Sequence, residues 1–98
     1  MASRTITTTA EELKPRNRHR KSWIFQNEDA AINVFIKQER VATPTVSTTD
    51  HDHRLGPGGN LALNSDTDGT EALQDRWTII AASGTPRISF FETEDIVR

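Results

Sequence analysis

Ser22-Trp23-Ile24-Phe25-Gln26 and Ala31-Ile32-Asn33-Val34-Phe35-Ile36-Lys37 decide the fold class of this chain. The first run is aromatic and β-branched, and the turn-forming Asn27-Glu28-Asp29 closes it. In the second, Ile32, Val34 and Ile36 fall on one side and Asn33, Phe35 and Lys37 on the other. That period of two is the mark of a half-buried strand. Joined by the short Asn27–Ala31 segment, the two runs predict a β-hairpin.

Working outward, the same grammar recurs. Asn60-Leu61-Ala62-Leu63-Asn64 alternates, and Arg76 to Ala82 and Pro86 to Thr93 read as strands around the tight Ser83-Gly84-Thr85 turn, a second hairpin. Leu55-Gly56-Pro57-Gly58-Gly59 is a turn, because Pro presets φ and Gly permits positive φ. Thr43 to Thr49 suits a short edge strand, where Pro44 is tolerated. Glu11 to Lys14 and Glu71 to Asp75 each suit one helical turn, the former stopped by Pro15. No ten-residue segment holds a helical apolar period. About six short strands with Gly and Pro between them predict an all-β fold, a small antiparallel β-sandwich or jelly-roll-like barrel. The expected organisation is an extended N-terminal arm over 1–12, one sandwich domain over 13–94, and a short charged tail over 95–98, with an edge strand possible at Arg4-Thr5-Ile6-Thr7.

The chain has 98 residues, 34% of them hydrophobic, which allows one domain with a thin core that a partner subunit would complete. Thirteen are Thr, which favours strands. Twelve Lys+Arg against fourteen Asp+Glu leave a net charge of −2, too little for a field that selects nucleic acid or membrane. Charge is uneven: residues 1–49 carry 8 basic and 5 acidic side chains, residues 50–98 carry 4 and 9, a dipole suited to contact between copies. Absence of Cys excludes disulfides and thiolate chemistry. No apolar run has bilayer length, and Met1 to Ala10 lacks the apolar segment of a secretory signal.

Candidate chemistry is sparse. Gly56-Pro57-Gly58-Gly59 lacks the spacing of a phosphate-binding loop, and neither a nucleophile elbow nor a H-E-x-x-H helix is present. No enzyme activity and no cofactor are expected. His51-Asp52-His53 places two imidazoles at strand spacing. One copy offers too few ligands, so His51 and His53 make a metal candidate only on a threefold axis, and a solvated polar loop is the preferred reading. Arg16, Arg18, Arg20 and Lys21 form a dense basic loop without interleaved aromatics, which favours docking on acidic protein groups over nucleic acid. Trp23, Phe25, Phe35, Trp77, Phe90 and Phe91 all fall in strands and suit the core. Adjacent Phe90 and Phe91 must face opposite ways, so one of them points outward, as does Phe35 against Ile32, Val34 and Ile36; a partner subunit would cover such a ring.

Asn17-Arg18-His19-Arg20-Lys21-Ser22-Trp23-Ile24-Phe25-Gln26-Asn27, Ile32 to Ile36, Gly58-Gly59-Asn60-Leu61-Ala62-Leu63, and the Trp77 to Glu92 segment with its Ser83-Gly84-Thr85 turn form one pattern over residues 16–92. In this pattern the chain resembles the small β-sandwich structural proteins of tailed bacteriophages. Gln38 to Leu55 is longer and more polar than in the shortest of these, as a variable surface loop would be. The resemblance implies a non-enzymatic virion protein, most simply a capsid decoration (cement) protein that stabilises the major capsid shell as a homotrimer. It would be made in the host cytoplasm and placed on the capsid surface. The alternatives are a tail or portal-proximal adaptor or head-fibre base, and a ligand- or carbohydrate-binding β-sandwich module. Contacts to the capsid protein or sister subunits are expected at Arg4, Thr5, Ile6, Thr7, Arg16, Arg18, Arg20, Lys21, Phe35 and Phe91.

Overall fold

Side chains alternate along each central strand, so burying one face of a single sheet would leave half of the apolar residues on that side without cover. Two sheets stacked face to face solve this. The computed structural model, which describes residues 2–14, 20–39, 43–64 and 75–94, has that architecture. Its strands are β1 (Ala2–Thr5), β2 (Glu11–Lys14), β3 (Arg20–Asn27), β4 (Val34–Gln38), β5 (His53–Leu55), β6 (Asn60–Asn64), β7 (Trp77–Ala81) and β8 (Arg87–Glu94). Sheet A has the order β1-β8-β3-β6 and sheet B the order β2-β7-β4-β5, with every pair antiparallel. The pairs β4–β5, β3–β6, β2–β7 and β1–β8 nest within one another, so the chain is a long double ribbon rolled up. The β3–β8 and β4–β7 pairs close the roll. This is the connectivity of an eight-stranded jelly roll.

Both expected hairpins are corrected. β3 lies in sheet A and β4 in sheet B, and β7 and β8 divide the same way. The connections are corners between sheets. Asn27, fully buried at the end of β3, makes the first corner: its Nδ2 donates to Ile32 O at 2.7 Å and to Leu55 O and Gly56 O at 3.1 Å each. Its Oδ1 accepts from Asp29 N at 3.1 Å. The side chain thus holds the chain as it crosses, a job that a two-residue hairpin turn could not do. Gly84 sits in the other corner at φ 58°, where an added Cβ would come within 3.0 Å of Ile32 Cδ1. The turn at residues 56–59 follows expectation: Gly59 N donates to Gly56 O at 2.9 Å around Pro57, and Gly58 takes φ 73°.

The N-terminal segment, expected as an extended arm with a possible edge strand at residues 4–7, is built into the sandwich. β1 pairs along β8 and β2 along β7, so the N-terminal segment contributes an edge to each sheet. Between them Ile6, fully buried, donates its N–H to Pro86 O at 2.9 Å, and Thr7 O accepts from Ala81 N at 2.9 Å. Arg4 reaches Glu11 at 3.2 Å, tying the two edges together. A strand needs backbone partners more than apolar residues, and buried Ile6 and Leu13 anchor an otherwise polar segment. For the same reason Glu11–Lys14 is a strand where a helical turn was expected. Residues 43–49 form no strand, β5 lies in the segment expected as a polar loop, and residues 71–74 of the second expected helical turn lie outside the described residues.

The core sits between the sheets. Trp23, Phe25 and Ile88 of sheet A meet Val34, Ile36, Ile79 and Trp77 of sheet B, with Leu13, Leu55 and Leu63 at the margins. The Trp23 ring meets Trp77 across the interlayer space at 5.4 Å and 70°, an edge-to-face contact.

Candidate interaction surface

The outer faces of the two sheets are built differently. On sheet B, Phe35 and Lys37 face away from the core, and the chain's own residues 43–52 lie over them. The Phe35 ring, 7% exposed, packs on His51 with centroids 4.6 Å apart. Lys37 Nζ pairs with Asp50 at 2.7 Å and donates to Thr45 Oγ1 at 3.1 Å. Gln38 N donates to Asp52 Oδ2 at 2.8 Å, and Asp52 N to Ile36 O at 2.9 Å. Val46 is buried under this cover. The long polar segment expected to vary at the surface is therefore a lid on sheet B.

Beneath the lid, Glu39 is buried, accepting from Thr45 N at 3.0 Å, from Thr45 Oγ1 at 2.8 Å and from the Thr78 hydroxyl. Burial pushes its carboxyl up, but the hydrogen bonds from Thr78 and Thr45 and the nearby Lys37 charge outweigh it and hold the group below its ordinary value of 4.5. A depressed carboxylate stabilises the fold above the unfolded-state value and loses that contribution as pH falls through the folded-state value. We expect the urea midpoint to drop below about pH 4.5, and the Glu39→Gln variant to show a shallower drop. An identical acid profile in the variant would rule Glu39 out as its source.

Among the described residues, sheet A carries no such lid. The β3–β8 register places Ile24 directly opposite Phe91, and Ala62 of β6 lies opposite Ile24 on the other side. Ile24 is 42% exposed and Phe91 51%, the two large hydrophobic side chains on the surface among the described residues. The row above holds Ser3, Ser89, Gln26 and Asn60, and the row below Ser22 and Thr93, whose hydroxyls lie 2.6 Å apart. These three rows contain no charged residue, in a chain in which 27% of residues are charged. Buried Ser89 Oγ has no hydrogen-bond partner among the described residues. Free of charge and centred on exposed apolar side chains, this patch has the make-up of an interface core.

No family model, curated protein or solved structure matches this chain. Of the contact residues expected from sequence, Phe91 is exposed as expected. Phe35 is corrected: it faces outward, but the lid covers it. Ile6 is corrected to a core residue. Arg20 is corrected as well. It opens β3 instead of lying in a loop, is 1% exposed, pairs through Nε with Glu92 Oε2 at 2.8 Å, and donates through a terminal nitrogen to Asp75 O at 3.2 Å. A guanidinium tethered inward at both ends cannot meet a partner. Arg16 and Arg18 lie outside the described residues, and Lys21 lies in β3. Thr5 and Thr7 are exposed, and Arg4 is engaged with Glu11 and with Glu12 O at 3.0 Å. Those of the ten positions whose side chains are described are not gathered into one surface.

The metal candidate is corrected too. The His51 ring lies on Phe35, with Nδ1 3.2 Å from Ser47 O, on the outer face of sheet B. The His53 ring lies 6.1 Å from that of Trp77, toward the core. The loop before β5 breaks the strand spacing that would have aligned the two. Among the described residues no group of three His, Cys, Asp or Glu side chains could hold a metal. Sequence reasoning missed Ile24, although its place between the two larger residues Trp23 and Phe25 already put it on the opposite face.

Proposed function

We propose that this protein is a non-enzymatic structural component of a virion, a decoration (cement) protein that docks on the capsid shell through the outer face of sheet A and works in several copies. The observation that carries this reading is the Ile24–Phe91 pair, exposed at the centre of three charge-free rows of sheet A while the outer face of sheet B is covered by residues 43–52. The resemblance of residues 16–92 to phage β-sandwich proteins supplies the shell as the partner. Docking would remove apolar area from water, and the surrounding hydroxyls and amides would supply directional contacts.

Burying the exposed parts of Ile24 and Phe91 contributes about 1–2 kcal/mol each. The Ile24→Ser, Phe91→Ser variant is therefore expected to fold normally and to bind isolated shells about 100-fold more weakly. Co-sedimentation with shells measures this. Many copies per purified particle mark a decoration protein, and a few mark a tail or portal adaptor. Unchanged binding by the double variant would sink the docking claim.

One observation favours a second reading. Phe91 is an exposed aromatic ring with amides and hydroxyls around it, an arrangement that suits the apolar face of a neutral sugar. A glycan array scores it: binding lost on Phe91→Ala would replace the shell with a carbohydrate.

A further inference from the structure

We propose that two copies of this chain join β6 to β6 across a two-fold axis, forming one continuous eight-stranded sheet. An unpaired sheet edge is a template for another strand, and natural edges are blunted by charge or Pro. Among the described residues the two sheets have four edges. β1 carries Arg4, β2 carries Glu11, Glu12 and Lys14, and β5 carries His53 and Arg54. β6 carries neither charge nor Pro, and among the described residues it pairs on one side only, with β3.

The sequence of β6 names the occupant. Asn60-Leu61-Ala62-Leu63-Asn64 reads the same in both directions. Antiparallel pairing with a second copy, centred on Ala62, sets Ala62 opposite Ala62, Leu61 opposite Leu63 and Asn60 opposite Asn64, so each residue meets its own kind. Such self-complementarity is what a two-fold contact requires. On the inner side, Leu61 is only partly buried against the core, and Leu63 of the second copy would cover it. On the outer side, the row Phe91–Ile24–Ala62 would run on through the axis into its symmetry mate, doubling the apolar row of the docking face.

The use of this pairing in a shell rests on the function proposed above; the pairing itself does not. Sedimentation velocity and native mass spectrometry of the full chain at micromolar concentration should show a dimer. Ala62 and Asn60 are exposed, so Ala62→Lys and Asn60→Lys are expected to keep the fold, checked by far-ultraviolet circular dichroism. Ala62→Lys sets two like charges face to face and should weaken the dimer by about tenfold or more. Mixing the Ala62→Lys and Ala62→Glu chains should restore it as a heterodimer. Asn60→Lys is the second variant, should Ala62→Lys fail to fold. A wild-type monomer, a wild-type trimer, or a dimer indifferent to both lysine variants would overturn the pairing. A trimer whose shell binding still depends on Phe91 would overturn the pairing alone. A charge-sensitive dimer with no affinity for shells would keep the pairing and remove the shell.

Discussion

Trp23→Ala should lower stability by about 3–5 kcal/mol, the range for truncating a fully buried Trp. Trp23 lies on the inner face of sheet A with no exposure. Its ring meets Phe25 of its own strand at 5.9 Å and 84°, and Trp77 of the opposite sheet at 5.4 Å. It is therefore the side chain through which the layers grip one another. A domain of this size has a total stability near the low end of about 5–15 kcal/mol, so the variant would be close to unfolded. Thermal denaturation reads the loss at about 4–8 °C per kcal/mol. Trp23→Phe is the informative companion. Trp23 Nε1 is buried and no acceptor reaches it among the described residues. Phe leaves a smaller cavity than Ala and also removes an unsatisfied N–H, so the loss should be less than half that of Ala. Equal losses in the two variants would show that volume matters less here than the indole itself.

Asn27→Ala should cost about 3–4 kcal/mol, through hydrogen bonds that nothing else can supply. Two N–H groups serve three carbonyls, those of Ile32, Leu55 and Gly56, and the side-chain oxygen serves Asp29 N. Removing the amide strands these groups at a fully buried corner. The damage should be local in origin, so amide exchange should accelerate first around residues 27–32 and 56–59. Asn27→Asp keeps the shape and removes both donors, turning a charge toward three carbonyl oxygens. At neutral pH it should be worse than Asn27→Ala. In acid its protonated form regains one donor, so part of the loss should be recovered. An Asn27→Asp variant as stable as the parent at neutral pH would mean that the corner is held by something other than this amide.

The strands themselves were legible because their signal is local. Trp23, Ile24 and Phe25, or Ile79 beside Thr78, show their alternation within a few residues, and the Gly56–Gly59 turn shows its chemistry within four. Partners were not legible. Ser22 to Gln26 and Val34 to Lys37 looked like a hairpin because their linker is short, yet the linker carries Asn27, whose amide binds segments about 28 residues away in sequence. Phe35 looked exposed because alternation reports the face and not what lies over that face. His51, which covers it, sits 16 residues further on. Arg20 looked like one charge of a solvated run, because the carboxylate that claims it, Glu92, is 72 residues distant.

By itself the sequence determined an all-β chain with a thin core, no thiol chemistry and one outward ring in the Phe90-Phe91 pair, since each of these follows from composition or from a period of two. Only the tertiary structure decided that β3 and β4 part into different sheets, that residues 2–14 contribute an edge to each sheet, and that residues 43–52 cover the outer face of sheet B while Ile24 and Phe91 stay exposed on sheet A. The physical reason is that antiparallel pairing energy is nearly the same for any two strands of suitable pattern. The choice among partners falls to side chains that meet only once the ribbon has rolled up: Asn27 at the corner, Ile6 between the sheets, and Trp23 against Trp77.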